Sequence, residues 1–75
     1  MKELKISLAA ARVNAKMTQE DVAKTINKSK NTIVNWENGK TMPDTPALTM
    51  LASLYDIPID NIFLPSDFTN SENGQ

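Results

Sequence analysis

The chain contains no cysteine and no histidine. The first absence excludes disulfides, thiolate metal sites and cysteine nucleophiles. The second removes the commonest general base and metal ligand. No paired-carboxylate constellation replaces them, so an enzyme is not expected, and no catalytic residue, metal site or cofactor is assigned. No run of 18 apolar residues exists, and the N-terminus lacks the apolar core and cleavage site of a signal peptide, so neither a membrane nor an exported protein is expected. Seventy-five residues allow one small domain, burying only about 60–65% of its unfolded surface.

Positive charge is missing from the second half of the chain. All eight basic residues fall within residues 1–41, against four acidic ones, a balance of +4. Residues 42–75 hold five acidic residues and no base, a balance of −5. The overall charge of −1 therefore conceals a dipolar chain that can turn a positive face to a polyanion. Chance segregation is the plain alternative.

What the chain does have is helical periodicity, which predicts five helical segments and no strand. The first covers 2–15, with Leu4, Leu8, Ala11 and Ala15 at helical spacing and Ile6 and Val13 widening the stripe. The second, at about 18–26, opens on Thr18, with Asp21 three residues later as a weak capping box, and buries Val22, Ala23 and Ile26. Asn27 tolerates the left-handed conformation that a tight ending needs. Ser29 caps a third helix at about 29–37, which Asn38-Gly39 ends, with Gly39 suited to the left-handed cap. Thr45 is expected to cap a fourth, with Pro46 in its first turn and Leu48, Leu51, Ala52 and Tyr55 inward; Pro58 stops it. Asp60 starts a brief last helix holding Ile62 and Phe63. The domain is expected over 1–65, followed by a polar, flexible tail over 66–75.

The second and third helices carry the information. Their caps lie 11 residues apart, which allows two turns of helix, a tight turn and a second helix crossing the first, the helix-turn-helix layout. With Ile33 and Trp36 inward, the third helix shows Lys30, Asn31, Val34 and Asn35 outward, with Thr32 at the edge. Asparagine is a poor helix former and an outward valine gains nothing from water. In a DNA major groove the same set has uses: asparagine pairs with adenine, lysine donates to guanine, and valine covers a thymine methyl. Val34 can equally be half-buried against the second helix, and Trp36 reads as core.

From Leu8 to Phe63 the chain resembles the Cro/CI-type helix-turn-helix domain (XRE family), the fold of phage repressors and many small bacterial regulators. The resemblance rests on MTQEDVAKTINKSKNTIVNWENGKTMP: its Thr-Gln start, Ala23, Ile33, and the Trp-Glu-Asn-Gly-Lys ending followed by Pro43. Asn27 stands where a glycine is usual, and Lys28 where an apolar residue is usual. The resemblance implies an all-α, compact five-helix, lambda-repressor-like domain with its helix-turn-helix at about 18–37. It implies that Lys30, Asn31, Thr32, Val34 and Asn35 read base edges. Gln19 would contact a phosphate and brace the reading helix. Asn38 and Lys40 would hold phosphates, with the backbone N–H groups of Gly39 and Thr41. Arg12 and Glu37 would form a semi-buried ion pair that ties the first helix to the end of the third.

Such a domain is expected to bind double-stranded DNA as a homodimer on a palindrome, in the bacterial cytoplasm, with no small-molecule ligand evident. Its expected role is transcriptional regulation, as a repressor of phage or prophage type. Pairing is expected from the apolar run Ile57, Pro58, Ile59, Phe63 and Leu64, with Leu64 and Phe68 the most exposed. Core packing competes for most of that run. Lys2, Lys5 and Lys16 are read as diffuse attraction or simple solvation, not as contacts. The alternative function is an antitoxin-like protein whose acidic half holds a toxin, with DNA binding used for autoregulation.

Overall fold

A computed structural model describes residues 5–64. In chain order these form β1 (Ile6–Ser7), α1 (Leu8–Asn14), α2 (Gln19–Ile26), α3 (Lys30–Asn38), α4 (Thr45–Tyr55), a 3-10 turn (Ile59–Asn61) and β2 (Ile62–Phe63). Ile33 of α3, Leu51 of α4 and Val22 of α2 are the largest fully buried side chains, so each of these helices drives one aliphatic residue into a common core. Burying each contributes about 1.5–3 kcal/mol. Leu8, Trp36, Tyr55 and Ile62 close the core around them.

The short helices form because their ends are capped. The Ser7, Thr18, Ser29 and Asp44 side chains each accept a hydrogen bond from a backbone N–H three residues on, satisfying donors that a helix start otherwise orphans. At Thr18 the box is reciprocal: the Thr18 hydroxyl accepts from Asp21 N–H at 3.0 Å, and Asp21 Oδ2 accepts from Thr18 N–H at 3.0 Å. Among the described residues three non-glycines are left-handed: Lys16 after α1, Asn27 after α2 and Asp56 after α4. Each falls just past a helix end, where the chain must reverse within a few residues.

Five sequence expectations need correction. The first helix starts at Leu8, because Ser7 caps it and Ile6 is extended, pairing in parallel with Ile62 while Ser7 pairs with Phe63. Leu4 lies outside the described residues, as do Lys2, Phe68 and the tail 66–75. Val13 does not widen the buried stripe: it is 62% exposed, rotated well away from Leu8 and Ala11. Asp44, not Thr45, caps α4, its carboxylate accepting from Ala47 N–H at 3.0 Å; Pro46 still falls in the first turn. The last helix is only a 3-10 turn, because Ile62 reaches the core from an extended backbone paired to Ile6. Helix α4 also ends before Pro58, at Tyr55, where left-handed Asp56 turns the chain. The all-α expectation holds in the main, with four α-helices and one two-residue parallel pairing among the described residues. No described helix is long and apolar enough to cross a membrane.

Candidate nucleic-acid interface

Helices α2 and α3 pack against each other across the three-residue turn 27–29. Left-handed Asn27 makes the turn sharp, and Lys28 N–H reaches back to Ala23 C=O at 2.8 Å. Ile33 and Trp36 anchor α3, exposed by 1% and 6%. With those two inward, the opposite surface is dictated by helical geometry. Lys30 and Asn31 are exposed, and Val34 and Asn35 are half-buried. Thr32, half-buried at the edge, shares a 2.8 Å hydrogen bond with the Ser29 hydroxyl. The start of α3 is electrostatically unusual. Its first turn holds no acidic residue and begins with a lysine, although a helix N-terminus favours negative charge. Helix α2 follows the usual rule, with Glu20 and Asp21 in its first turn. The positive end of α3 is thus left uncompensated within its own helix.

Behind α3, Arg12, Gln19 and Glu37 form a polar knot. Arg12 Nε donates to Glu37 Oε2 at 2.7 Å and Nη2 to Glu37 Oε1 at 3.3 Å. Arg12 Nη1 donates to Met17 C=O at 2.9 Å, fastening the loop between α1 and α2. Gln19 Nε2 donates to Glu37 Oε1 at 3.0 Å. With side-chain exposures of 15% for Arg12 and 7% for Glu37, the pair is largely out of water and held by a forked, bidentate geometry. Hydrogen bonding to Glu37 raises the Arg12 pKa above its ordinary value, against the opposing effect of burial. Tyr55 is pushed up to about 12, first by burial, then by the Glu37 charge, with Arg12 offsetting part of it. Asp21 is lowered by the Thr18 backbone and hydroxyl hydrogen bonds of the capping box.

The knot joins three elements whose ends converge, so the start of α2 and the end of α3 cannot move independently. Gln19 is already committed through one amide hydrogen, which leaves its second for an outside acceptor. The loop after α3 departs from expectation in its backbone. Gly39 N–H donates to Trp36 C=O at 3.2 Å, and Lys40 N–H to Asn35 C=O at 2.9 Å. Thr41 N–H reaches the same Asn35 carbonyl at 3.4 Å. Gly39 N–H is therefore spent on ending the helix and Thr41 N–H is largely so; neither is a free phosphate donor in this conformation. Asn38, Lys40 and Thr41 keep exposed side chains. Leu64, expected exposed, is half-buried against the core, whereas Ile59 and Phe63 are exposed by 39% and 37%.

Among the contacts not named from sequence are two at the start of α2, although the resemblance implied that Gln19 braces the reading helix. The Gln19–Glu37 bond joins residues 18 apart, and Lys30 Nζ lies 3.9 Å from Glu20 Oε2. Packing two helices on the caps Thr18 and Ser29 brings the first turns of α2 and α3 near each other, which was the available signal for the second contact.

A family model described as helix-turn-helix matches residues 8–62. No curated protein and no solved structure matches the chain. The matched stretch runs from the first residue of α1 to the first of β2 and contains α2, α3 and the whole polar knot. With the crossed helices, the capped turn and the outward face of α3, it makes this chain a member of the Cro/CI-type (XRE) helix-turn-helix family of DNA-binding transcriptional regulators.

Proposed function

We propose that the protein is a repressor of phage or prophage type that binds a palindromic operator as a homodimer, with α3 in the major groove. The observation that carries this reading is the outward face of α3. Lys30, Asn31, Val34 and Asn35 share it, and α3 carries no acid in its own first turn. Lys30 donates to guanine, Asn31 and Asn35 bond adenine edges, Val34 covers a thymine methyl and Thr32 touches base or backbone. Gln19, Asn38, Lys40 and the Thr41 hydroxyl hold phosphates and fix the register. Repression follows from occupying a promoter, without catalysis.

Dimerisation follows from the target. Duplex DNA offers two matching grooves, and one short helix reads too few base pairs to find a site in a genome. Ile59 and Phe63, exposed near the end of the described chain, supply apolar surface for pairing. If each protomer neutralises about four phosphates, log K falls with a slope near −7 against log salt.

The test is selection of bound duplexes from a random library by the wild type and by Asn35→Ala. An inverted repeat with half-sites about one helical turn apart is expected. The substitution should relax preference at one position per half-site, costing about 1–3 kcal/mol there. A folded protein that enriches no duplex would overturn the reading.

A further inference from the structure

Lys30 is the only cation of α3, and it does not stand alone. Its Nζ lies 3.9 Å from Glu20 Oε2, with side-chain exposures of 55% and 71%. The neighbouring carboxylate, Asp21, is committed to Thr18 N–H, and Glu37 is committed to Arg12 and Gln19. Glu20 and Lys30 instead face each other across a surface cleft whose other walls are Arg12, Met17, Thr18 and Gln19. A phosphate approaching Gln19 therefore meets the Glu20 charge as well.

Such an arrangement has an electrostatic cost for a DNA-binding surface, since Glu20 repels phosphates and screens a useful cation. It also has a use. A lysine ammonium is a point charge on a flexible stem, and left alone it pairs with phosphates of any sequence, the main source of non-specific affinity. An ammonium carries three donors, so Lys30 can keep Glu20 and still donate to a base edge.

We propose that Glu20 is a positioning residue for base readout: it holds Lys30 at close range and competes with phosphates for its ammonium, lowering affinity for arbitrary duplex more than for the operator. This rests on α3 being the base-reading helix.

The experiment compares Glu20→Gln with wild type on two duplexes of equal length, the best sequence enriched from a random library and a scrambled control, over a range of salt. The single tryptophan, Trp36, reports by its fluorescence that each variant is folded. Glu20→Gln should tighten binding to the scrambled duplex about two- to fivefold, the range an exposed ion pair supports. Its salt slope there should steepen by about one, because Lys30 becomes free to displace a counterion. Binding to the enriched duplex should change less, so the specificity ratio falls. In a Lys30→Gln background the same Glu20 substitution should leave the ratio unchanged. Equal tightening on both duplexes, or a ratio change that survives without Lys30, would overturn the proposal alone. A wild type that binds both duplexes equally would overturn the reading of α3 and this proposal with it.

Discussion

Glu37 accepts three hydrogen bonds, two from Arg12 and one from Gln19, while only 7% of its side chain remains exposed. A carboxylate so enclosed is costly unless its partners stay in place. Arg12→Met should therefore destabilise the domain by about 3 kcal/mol, because it leaves Glu37 with the Gln19 amide alone. The double variant Arg12→Met, Glu37→Met should cost less than the sum of the two single changes, since it removes the stranded charge. Urea unfolding followed by Trp36 fluorescence measures both. A single-variant cost no larger than that of a surface pair, under about 1 kcal/mol, would show that water reaches Glu37 freely. The knot is then better understood as positioning than as stability: it ties the loop before α2, the first turn of α2 and the end of α3 to one another.

At the scale of elements, the chain relies on caps because its helices are short, from seven to eleven residues. Isolated helices of that length are marginal in water. The Thr18–Asp21 box makes this testable by pH. The folded pKa of Asp21 lies below its ordinary 3.8, so its contribution is present above that value and lost as pH falls through the lower, folded-state value. Between those limits the wild type should lose urea resistance more steeply than Asp21→Asn, whose cap cannot protonate. Equal slopes would show that the box contributes no pH dependence. Helix endings were legible where a residue announced the turn. Asn27 announced a left-handed turn, since its short polar side chain tolerates one. Lys16 adopts the same conformation with no such signal, because the path from α1 to α2 is imposed by the Arg12–Met17 contact. Asp56 carried a similar signal, since aspartate also visits the left-handed region and Pro58 disfavours helix at Ile57.

Across the whole molecule, Tyr55 is a core residue whose hydroxyl feels the charges of the knot. It is the only tyrosine in the chain, 6% exposed, and its pKa is raised from 10.0 to about 12. A raised folded-state pKa means that the stability linked to Tyr55 is complete below pH 10.0 and is lost as pH rises through about 12. Phenolate absorbance should consequently appear late, near 12 or together with loss of the buried Trp36 signal. Tyr55→Phe should remove part of the alkaline instability. A phenolate that forms near 10.0 in the still-folded domain would show that burial does not restrain it.

The sequence alone determined the helix-turn-helix unit, the caps Thr18 and Ser29, the inward Ile33 and Trp36, and hence which residues of α3 face outward. These follow from local rules, since a capped helix with two large apolar residues three apart has only one way to turn. The Arg12–Glu37 link was legible only through family resemblance. Tertiary structure decided the rest. It made Ile6 and Ile62 a strand pair in place of two helical residues, since each reaches the core only when its neighbour satisfies its backbone. It left Val13 in water and drew Leu64 inward. It spent Gly39 N–H on ending α3 and set Glu20 beside Lys30. Those outcomes depend on how separate segments meet, and no local pattern of residues encodes a distance between segments far apart in the chain.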